Sequence, residues 1–259
     1  MLGAGVAGIH EVVDAFGRPR EARVWRLGRR TVVESADVLP YDPRRLEPEA
    51  ASSRGLGELL AALDCEELVV CLGGTATLDA GAGLLSVLRR LPCPTTALWD
   101  TDATLLEAPR LYGPQKGLSP DQVPEWEARF AALEEVRGVA ELPGSGAAGG
   151  LGAAFAALGA RLVPGAAFVL DTLGFEPASY DPVVTGEGSV DATTRRGKAP
   201  GEVARRCEAA AVRCVVFGGR VVEPFPGVET VPLSGDPARA RDDLVALGED
   251  LATRTRRPA

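Results

Sequence analysis

The chain has 259 residues, of which 46% are hydrophobic, so it is long and apolar enough to bury a core rather than remain disordered. Its formal net charge of −8 argues against a nucleic-acid partner and against binding to an anionic membrane surface. The single histidine, His10, weighs against a Ser-His-Asp hydrolase and a histidine metal site, because both need imidazole near the chemistry.

The N-terminal part of the chain is predicted to be rich in β-structure. Residues 12–25 carry a hairpin pattern around the turn Phe16-Gly17-Arg18-Pro19, and residues 31–34 are expected to pair with this hairpin. Such a start, placed before any alternation of strands and helices, predicts a second small domain or a mixed sheet.

Farther along, apolar runs alternate with helical patterns, which is typical of an α/β fold with a largely parallel sheet. Strands are predicted at residues 67–72, 95–99, 167–170, 182–185, 214–217 and 230–233. Helices are predicted at residues 83–90, 147–159 and 199–211, and two more are expected to begin at Ser119 and Asp236.

The cysteines and the hydropathy predict a cytoplasmic protein with no membrane partner. An odd number of cysteines without a Cys-x-x-Cys pair fits a reducing cytosol. No uninterrupted apolar run is long enough to span a bilayer, and the N-terminus lacks the layout of a signal peptide. The five cysteines are Cys65, Cys71, Cys93, Cys207 and Cys214.

Glycine-rich turns adjoin predicted elements at residues 73–83 and 143–152. Glycine lets the backbone approach a ligand closely, and free N–H groups at the start of a helix favour an anion. Each turn alone also fits a tight bend or close helix packing, but together with a third turn they favour a phosphorylated ligand. The predicted phosphate-binding or substrate-binding residues in these two turns are Gly73, Gly74, Thr75, Thr77, Asp79, Gly144, Ser145, Gly146, Gly149 and Gly150.

The third turn lies within residues 182–200 and is the most informative segment of the chain. A short strand, a glycine-rich turn and a helix follow one another there, an arrangement that places phosphate near backbone N–H groups. The carboxylates Glu187 and Asp191 stand near Lys198, which indicates a metal-bound phosphate, and these three are the predicted catalytic residues. The alternative is a polar surface turn with ordinary capping. The segment is not a Walker A loop, because Lys198 is followed by Ala199.

A further polar turn is predicted at Gly113-Pro114-Gln115-Lys116-Gly117. A lysine held between two glycines, Lys116, is placed to reach a phosphate or a carboxylate. On these residues alone, a solvated turn is the preferred interpretation.

Taken in order, these motifs resemble those of the glycerate kinases of the bacterial type I family. Residues 185–200 match the family's final motif, and Gly113–Gly117 matches its Gly-Pro-Gln-Lys-Gly. Residues 143–152 and 73–83 resemble its two glycine-rich motifs, and residues 55–59 and 16–19 resemble two earlier ones. The order is collinear from about residue 12 to the C-terminus.

The chain also departs from the family pattern. The family's N-terminal strand and its Asp-Ser-Phe-Lys-Gly-Ser loop are missing, so the chain is expected to start downstream of them. The family's Asp-Val-Thr-Asn-Pro-Leu is replaced by Asp100-Thr101-Asp102-Ala103-Thr104-Leu105. Either Met1 is a misplaced start or the chain is a shortened, diverged member.

The resemblance implies a fold and an activity. It implies a Rossmann-like parallel-sheet domain plus a second, smaller α/β domain with a mixed sheet, with residues 1–140 as the smaller domain and 141–259 as part of the Rossmann-like domain. The implied reaction transfers the γ-phosphoryl group of ATP to D-glycerate, at the 2-hydroxyl, with Mg²⁺. The implied partner is a small molecule, and a homodimer is left open.

Residue chemistry gives the roles within that reaction. Asp191 would act as the base or orient the hydroxyl, and Glu187 would hold Mg²⁺, with Asp191 as a second candidate metal ligand. Lys198 would neutralise the transferring phosphate. The glycine turns would bind phosphate or the glycerate carboxylate through N–H groups, with Asp79 and Lys116 as additional candidates.

Three alternatives stay open. The chain could be a truncated, catalytically impaired relative that binds a small hydroxy acid or a nucleotide. It could be a structural subunit that complements another chain. An NAD-dependent oxidoreductase is the third, but no strand precedes the Gly3-x-Gly5-x-x-Gly8 pattern.

Overall fold

The computed structural model describes residues 3–255. By packing, these form two compact units, the first ending at Phe168 and the second beginning at Val169. The predicted boundary between residues 140 and 141 rests on the family's domain arrangement rather than on compactness, and it stays a prediction. In this part of the chain no helix is long and apolar enough to cross a membrane.

The first unit is built on a six-stranded sheet in which the strands follow one another in chain order. The first three strands are antiparallel and the remaining pairs are parallel, so the sheet is mixed, as predicted. The strands are β1 (Gly5–Val13), β2 (Pro19–Leu27), β3 (Arg30–Glu34), β4 (Glu67–Cys71), β5 (Thr95–Trp99) and β6 (Arg161–Pro164).

Helices and short 3₁₀ turns connect and cover these strands. The helices are α1 (Ser35–Val38), α2 (Arg54–Ala62), α3 (Ala82–Val87), α4 (Ala108–Lys116), α5 (Val123–Ala131), α6 (Ala147–Ala157) and α7 (Gly165–Thr172), the last of which crosses the division between the units. The 3₁₀ turns are Leu105–Glu107 and Glu134–Val139. Buried Leu56, Leu60 and Phe155 belong to the main core, while Trp126 and Phe130 of α5 belong to a second one.

The second unit is a three-stranded parallel sheet with strands in chain order. Its strands are β7 (Val183–Val190), β8 (Cys214–Val221) and β9 (Glu229–Pro232), and its other helices are α8 (Ala199–Ala209) and α9 (Ala240–Thr255), with 3₁₀ turns at Pro177–Ser179 and Pro237–Arg239. Helix α8 connects two neighbouring parallel strands, so β7, α8 and β8 form a β-α-β unit. The predicted α/β class is therefore confirmed.

Several local predictions are wrong. Residues 167–170 lie in α7 rather than in a strand, since a short apolar run fits either structure. Gly113–Gly117 is not an isolated turn, because it forms the end of α4 and its C-cap. Gly186 and Gly188 lie within β7, which pairs with β8, instead of opening a loop.

The cysteines also differ from the prediction. Cys65 and Cys93 form a disulfide that joins the segments before β4 and β5. Cys71, Cys207 and Cys214 are free thiols, and burial raises the pKa of Cys71 to about 11. The odd cysteine count and the missing Cys-x-x-Cys pair did not indicate this disulfide, and the cytoplasmic location stays a prediction.

Candidate functional site

In the first unit, the turn after β4 lies at the carboxyl end of two neighbouring parallel strands. Gly73 and Gly74 have positive φ angles of 148° and 61°. A Cβ built on Gly73 would lie 3.4 Å from a carboxylate oxygen of Asp100, which directly follows β5. Ligands bind at this edge of parallel sheets in many α/β proteins. Asp100 was not among the predicted site residues, although its place after a parallel strand could have indicated it.

Asp79 organises the same turn through its carboxylate. One oxygen accepts hydrogen bonds from the Ser53 N–H at 2.8 Å, the Ser53 hydroxyl at 2.7 Å and the Gly83 N–H at 3.1 Å. The other oxygen accepts from the Gly81 N–H at 3.0 Å. These contacts tie the turn to the starts of α2 and α3, so they favour a structural role for Asp79. Its predicted contact with a ligand stays a prediction.

The second glycine turn packs directly against the first. The Ala80 N–H donates to the Gly149 carbonyl at 3.1 Å, and the Thr75 hydroxyl donates to the Ala148 carbonyl at 3.3 Å. Within this turn Ala148, Gly149 and Gly150 all have positive φ angles, which interrupts α6 near its start. The two predicted turns therefore come together, with backbone against backbone.

Other members of the second turn serve as close-packing positions. The Ser145 side chain is fully buried, and its hydroxyl donates to the Ala140 carbonyl at 2.7 Å and accepts from the Leu105 N–H at 2.8 Å. Gly144 packs against the Trp99 ring and Gly146 against the Thr104 carbonyl. An added Cβ would lie under 2.5 Å from the ring at Gly144 and from the carbonyl oxygen at Gly146. The Ser145 side chain is thus engaged within the protein, and its ligand role stays a prediction.

Lys116 is buried rather than solvated. Its side-chain ammonium donates to the Thr77 carbonyl at 2.6 Å, and the residue is 5% exposed. Burial lowers the pKa of Lys116 to about 8, and the nearby Asp79 carboxylate acts in the opposite direction. Thr77 is also fully buried, and its hydroxyl has no hydrogen-bond partner within residues 3–255.

We expect Thr77→Val to raise the free energy of unfolding by about 1 kcal/mol, because an unsatisfied buried hydroxyl costs about that much or more. Valine keeps the shape of the side chain and the backbone carbonyl. Urea denaturation followed by tryptophan fluorescence measures the effect, since Trp25, Trp99 and Trp126 all lie in the first unit. A fall in stability would show that the hydroxyl has a partner, such as a bound water.

In the second unit, the three predicted catalytic residues lie on β7 and the loop that follows it: Glu187 within the strand, Asp191 directly after it, and Lys198 at the N-cap of α8. Lys198 Nζ lies 3.3 Å from Glu187 Oε2. Glu187 Oε1 accepts a hydrogen bond from the hydroxyl of buried Thr194 at 2.6 Å, and the same hydroxyl accepts from the Asp191 N–H at 3.0 Å. Thr194 therefore connects Glu187 and Asp191 through hydrogen bonds, and the sequence motifs did not indicate it.

Asp191 is held as a carboxylate. Its Oδ1 accepts from the Thr193 hydroxyl at 2.6 Å and from the Thr193 N–H at 2.8 Å. These two bonds, with smaller contributions from the positive charges of Lys198 and Arg220, lower the Asp191 pKa. Asp191 is therefore ionised near neutral pH, in a form able to accept a proton or bind a cation.

The carboxylate oxygens of this cluster fit Mg²⁺ if a phosphorylated substrate supplies further ligands. No group of three or more His, Cys, Asp or Glu side chains is placed to hold a metal ion in the chain between residues 3 and 255. Mg²⁺ commonly binds through one or two carboxylates plus substrate phosphates and water. Glu187 and Asp191 supply two such carboxylates, so they fit a metal that arrives with a phosphorylated substrate.

Comparison with known proteins identifies the family. The profile of the Glycerate kinase family matches residues 3–91 and 92–233. An uncharacterized protein of Mycobacterium bovis is 36% identical over 194 residues, which are 66% of this chain and 51% of that protein. Glycerate 2-kinase of Escherichia coli is 32% identical over 63% of this chain and 55% of its own length.

A relative described as a glycerate kinase, from Bacillus cereus, is 30% identical over 75% of this chain and 64% of its own length. A solved structure described as a glycerate kinase 2, from Salmonella typhimurium, gives a TM-score of 0.69 at 26% identity and covers 98% of this chain and 84% of that one. The chain spans between half and two thirds of the length of these three curated relatives. The family profile covers most of the chain in collinear order, and the chain belongs to the glycerate kinase family.

Proposed function

We propose that this chain transfers the γ-phosphoryl group of ATP to D-glycerate, at the 2-hydroxyl. The observation that carries the proposal is the grouping of Lys198, at the start of α8, with the carboxylates of Glu187 and Asp191, in a family whose curated members include glycerate kinases. Phosphoryl transfer depends mainly on positioning and on neutralising negative charge, and this cluster supplies groups for both.

Asp191 is assigned to the acceptor hydroxyl. The Thr193 bonds fix one oxygen of the carboxylate and keep it ionised, which gives a stable acceptor for the hydroxyl proton. A carboxylate of lowered pKa is a weak base, but a loose transition state for phosphoryl transfer needs little proton removal before the P–O bond breaks. Asp191 therefore mainly orients the hydroxyl and takes its proton late.

Lys198 and Glu187 are assigned to the phosphate. The ion pair with Glu187 holds the Lys198 ammonium near the start of α8. The helix dipole also favours a negatively charged phosphate group there. The ammonium would neutralise oxygens of the transferring group. Glu187 and Asp191 would hold Mg²⁺, which when bound neutralises phosphate charge.

The remaining assignments are also proposals. The turns at residues 73–83 and 143–152 are assigned to bind an anionic group of a substrate through backbone N–H groups. We propose a cytoplasmic enzyme that acts on a small molecule, with a homodimer as the assembly to be tested.

An assay with D-glycerate, ATP and Mg²⁺ tests the function, with ADP release followed by a coupled reaction. ³¹P and ¹³C NMR of the product would show a phosphate ester on carbon 2 for the proposed reaction, and on carbon 3 if another hydroxyl is used. Calorimetric binding of glycerate or nucleotide without ADP release would indicate the impaired relative instead. The absence of both binding and turnover would reject the proposal.

We expect Lys198→Met to raise KM for ATP about tenfold or more, because a charge-assisted contact to phosphate is lost. The matched control is Arg213→Met, which removes a similarly exposed cation from its ion pair with Glu229 in the same unit. Steady-state kinetics at varied ATP concentration measures both variants. An unchanged KM in the Lys198 variant, or an equal change in the control, would remove Lys198 from the phosphate site.

A further inference from the structure

Lysine is rare in this chain. Lys116 and Lys198 are the only lysines among 28 basic residues, and all the others are arginine. Lysine is therefore not the default cation here, and its use at these two positions calls for a reason. A compact ammonium fits a closed site and can lose its proton, whereas a guanidinium is larger, planar and always charged.

The place of Lys116 in the fold is costly to stability. Burying a cation against a carbonyl group is unfavourable compared with an apolar side chain of similar size. Thr77, whose carbonyl Lys116 contacts, adds a second unfavourable contribution to the free energy of folding. Its hydroxyl is buried and has no hydrogen-bond partner among the described residues. Departures of this kind from ordinary packing are expected at functional sites.

The contact lies at the junction of the two glycine turns. The Thr77 carbonyl that accepts from Lys116 also faces the Cα of Gly149, where an added Cβ would lie 2.1 Å from that oxygen. The flanking bonds from Thr75 to Ala148 and from Ala80 to Gly149 join the same two turns. Lys116 ends α4, and the negative end of the helix dipole favours its charge.

We propose that Lys116 is a positioning residue for the proposed kinase reaction: its ammonium fixes the Thr77 carbonyl and thereby sets the relative arrangement of the two glycine turns. The inference rests on the proposed function in one respect, since these turns are assigned to bind an anionic substrate group. In this arrangement Lys116 acts through the backbone and does not itself contact the substrate.

Lys116→Met tests the proposal, because methionine has a similar volume but no charge and no donor. We expect its melting temperature to stay within about 5 °C of wild type, since relief of the buried charge offsets the lost hydrogen bond. We expect kcat/KM to fall at least about tenfold, with Lys116→Gln recovering part of the loss because its amide can still donate. Lys116→Gln also takes the place of the methionine variant if that variant does not fold.

Amide hydrogen exchange gives a readout that does not depend on activity. We expect exchange at Ala80 and Gly150, whose N–H groups bond within the joined turns, to become at least about tenfold faster in Lys116→Met. The internal control is the Leu72 N–H, which directly follows β4 and bonds to the Leu98 carbonyl of β5, and it should keep its rate.

The outcomes separate this proposal from the proposed function. A melting temperature that falls while kcat/KM of the folded protein and the local exchange rates stay unchanged would make Lys116 purely structural and overturn the proposal. An equal acceleration at Ala80, Gly150 and Leu72 would also overturn it. If wild type shows no kinase activity, the proposed function fails, and the exchange rates still decide whether Lys116 fixes the two turns.

Discussion

Asp191→Asn is expected to lower kcat at least roughly 10²-fold, because the group that orients the acceptor hydroxyl and takes its proton is lost. Asparagine keeps a side-chain oxygen that can accept both hydrogen bonds from Thr193, so the loop keeps its shape. The substitution removes the negative charge and the ability to accept a proton. KM for glycerate is expected to change little, because the hydroxyl is oriented mainly in the transition state.

The matched control is Asp236→Asn. Asp236 lies in the same unit, and its carboxylate accepts from the Ala238 N–H two residues on at 2.9 Å, in the same local arrangement that Asp191 makes with Thr193. It caps the 3₁₀ turn at Pro237–Arg239 and is not among the proposed site residues. Wild-type kcat is expected for this control. Wild-type kcat for Asp191→Asn would remove Asp191 from the mechanism.

The pH dependence of kcat/KM follows from the lowered Asp191 pKa, because kcat/KM reports groups of the free enzyme. The carboxylate is active when ionised, so kcat/KM should fall as the pH drops through the folded-state pKa, which lies below the ordinary value of 3.8. This group alone would therefore leave kcat/KM constant from neutral pH down to well into the acid range. The residual kcat/KM of the Asp191→Asn variant should not show this fall at acid pH.

Local sequence patterns predicted the elements whose partners are close in the chain. The hairpin of β1 and β2 follows from the turn at residues 16–19, and β5 begins and ends where the pattern placed it. The clustering of Glu187, Asp191 and Lys198 was also predictable, because the three residues lie within twelve positions of one another. Short loops leave such side chains few ways to separate.

The roles of the glycine turns could not be predicted in the same way. The motifs were visible, but whether a glycine faces a ligand or another backbone depends on a segment about 70 residues away, as for Thr75 and Ala148. The same holds for Asp79, whose carboxylate is engaged by Ser53 from an earlier helix start. Tertiary contacts of this range leave no local periodicity in the sequence.

The burial of Lys116 shows how tertiary packing overrides local signals. Gly113, Pro114 and Gly117 are residues that normally indicate a turn, yet the first two lie within α4. Packing accounts for the glycine at position 113, since a Cβ there would lie 2.6 Å from the Leu118 side chain. The motif at residues 113–117 had already marked Lys116 as a candidate, and the scarcity of lysine in the chain is a second signal in the sequence that sets it apart.

Gly149→Ala is expected to destabilise the first unit by roughly 3 to 5 kcal/mol, a large part of the stability of a typical domain. Two effects add. Gly149 has a φ of +72°, where a Cβ costs about 1–2 kcal/mol. An added Cβ would also lie 2.1 Å from the Thr77 carbonyl oxygen and 2.9 Å from the Leu78 Cα, so the two glycine turns would have to separate.

Gly159→Ala isolates the first of these effects. Gly159 has a similar φ of +89°, but no atom of a neighbouring group lies within 4 Å of the position that an added methyl group would take, so only the backbone cost of about 1–2 kcal/mol remains. Urea denaturation monitored by tryptophan fluorescence compares both variants with wild type. The excess destabilisation of Gly149→Ala then measures the close packing of the turns. Equal destabilisation of the two variants would show that the turns separate at little cost, which contradicts both this prediction and the positioning role proposed for Lys116.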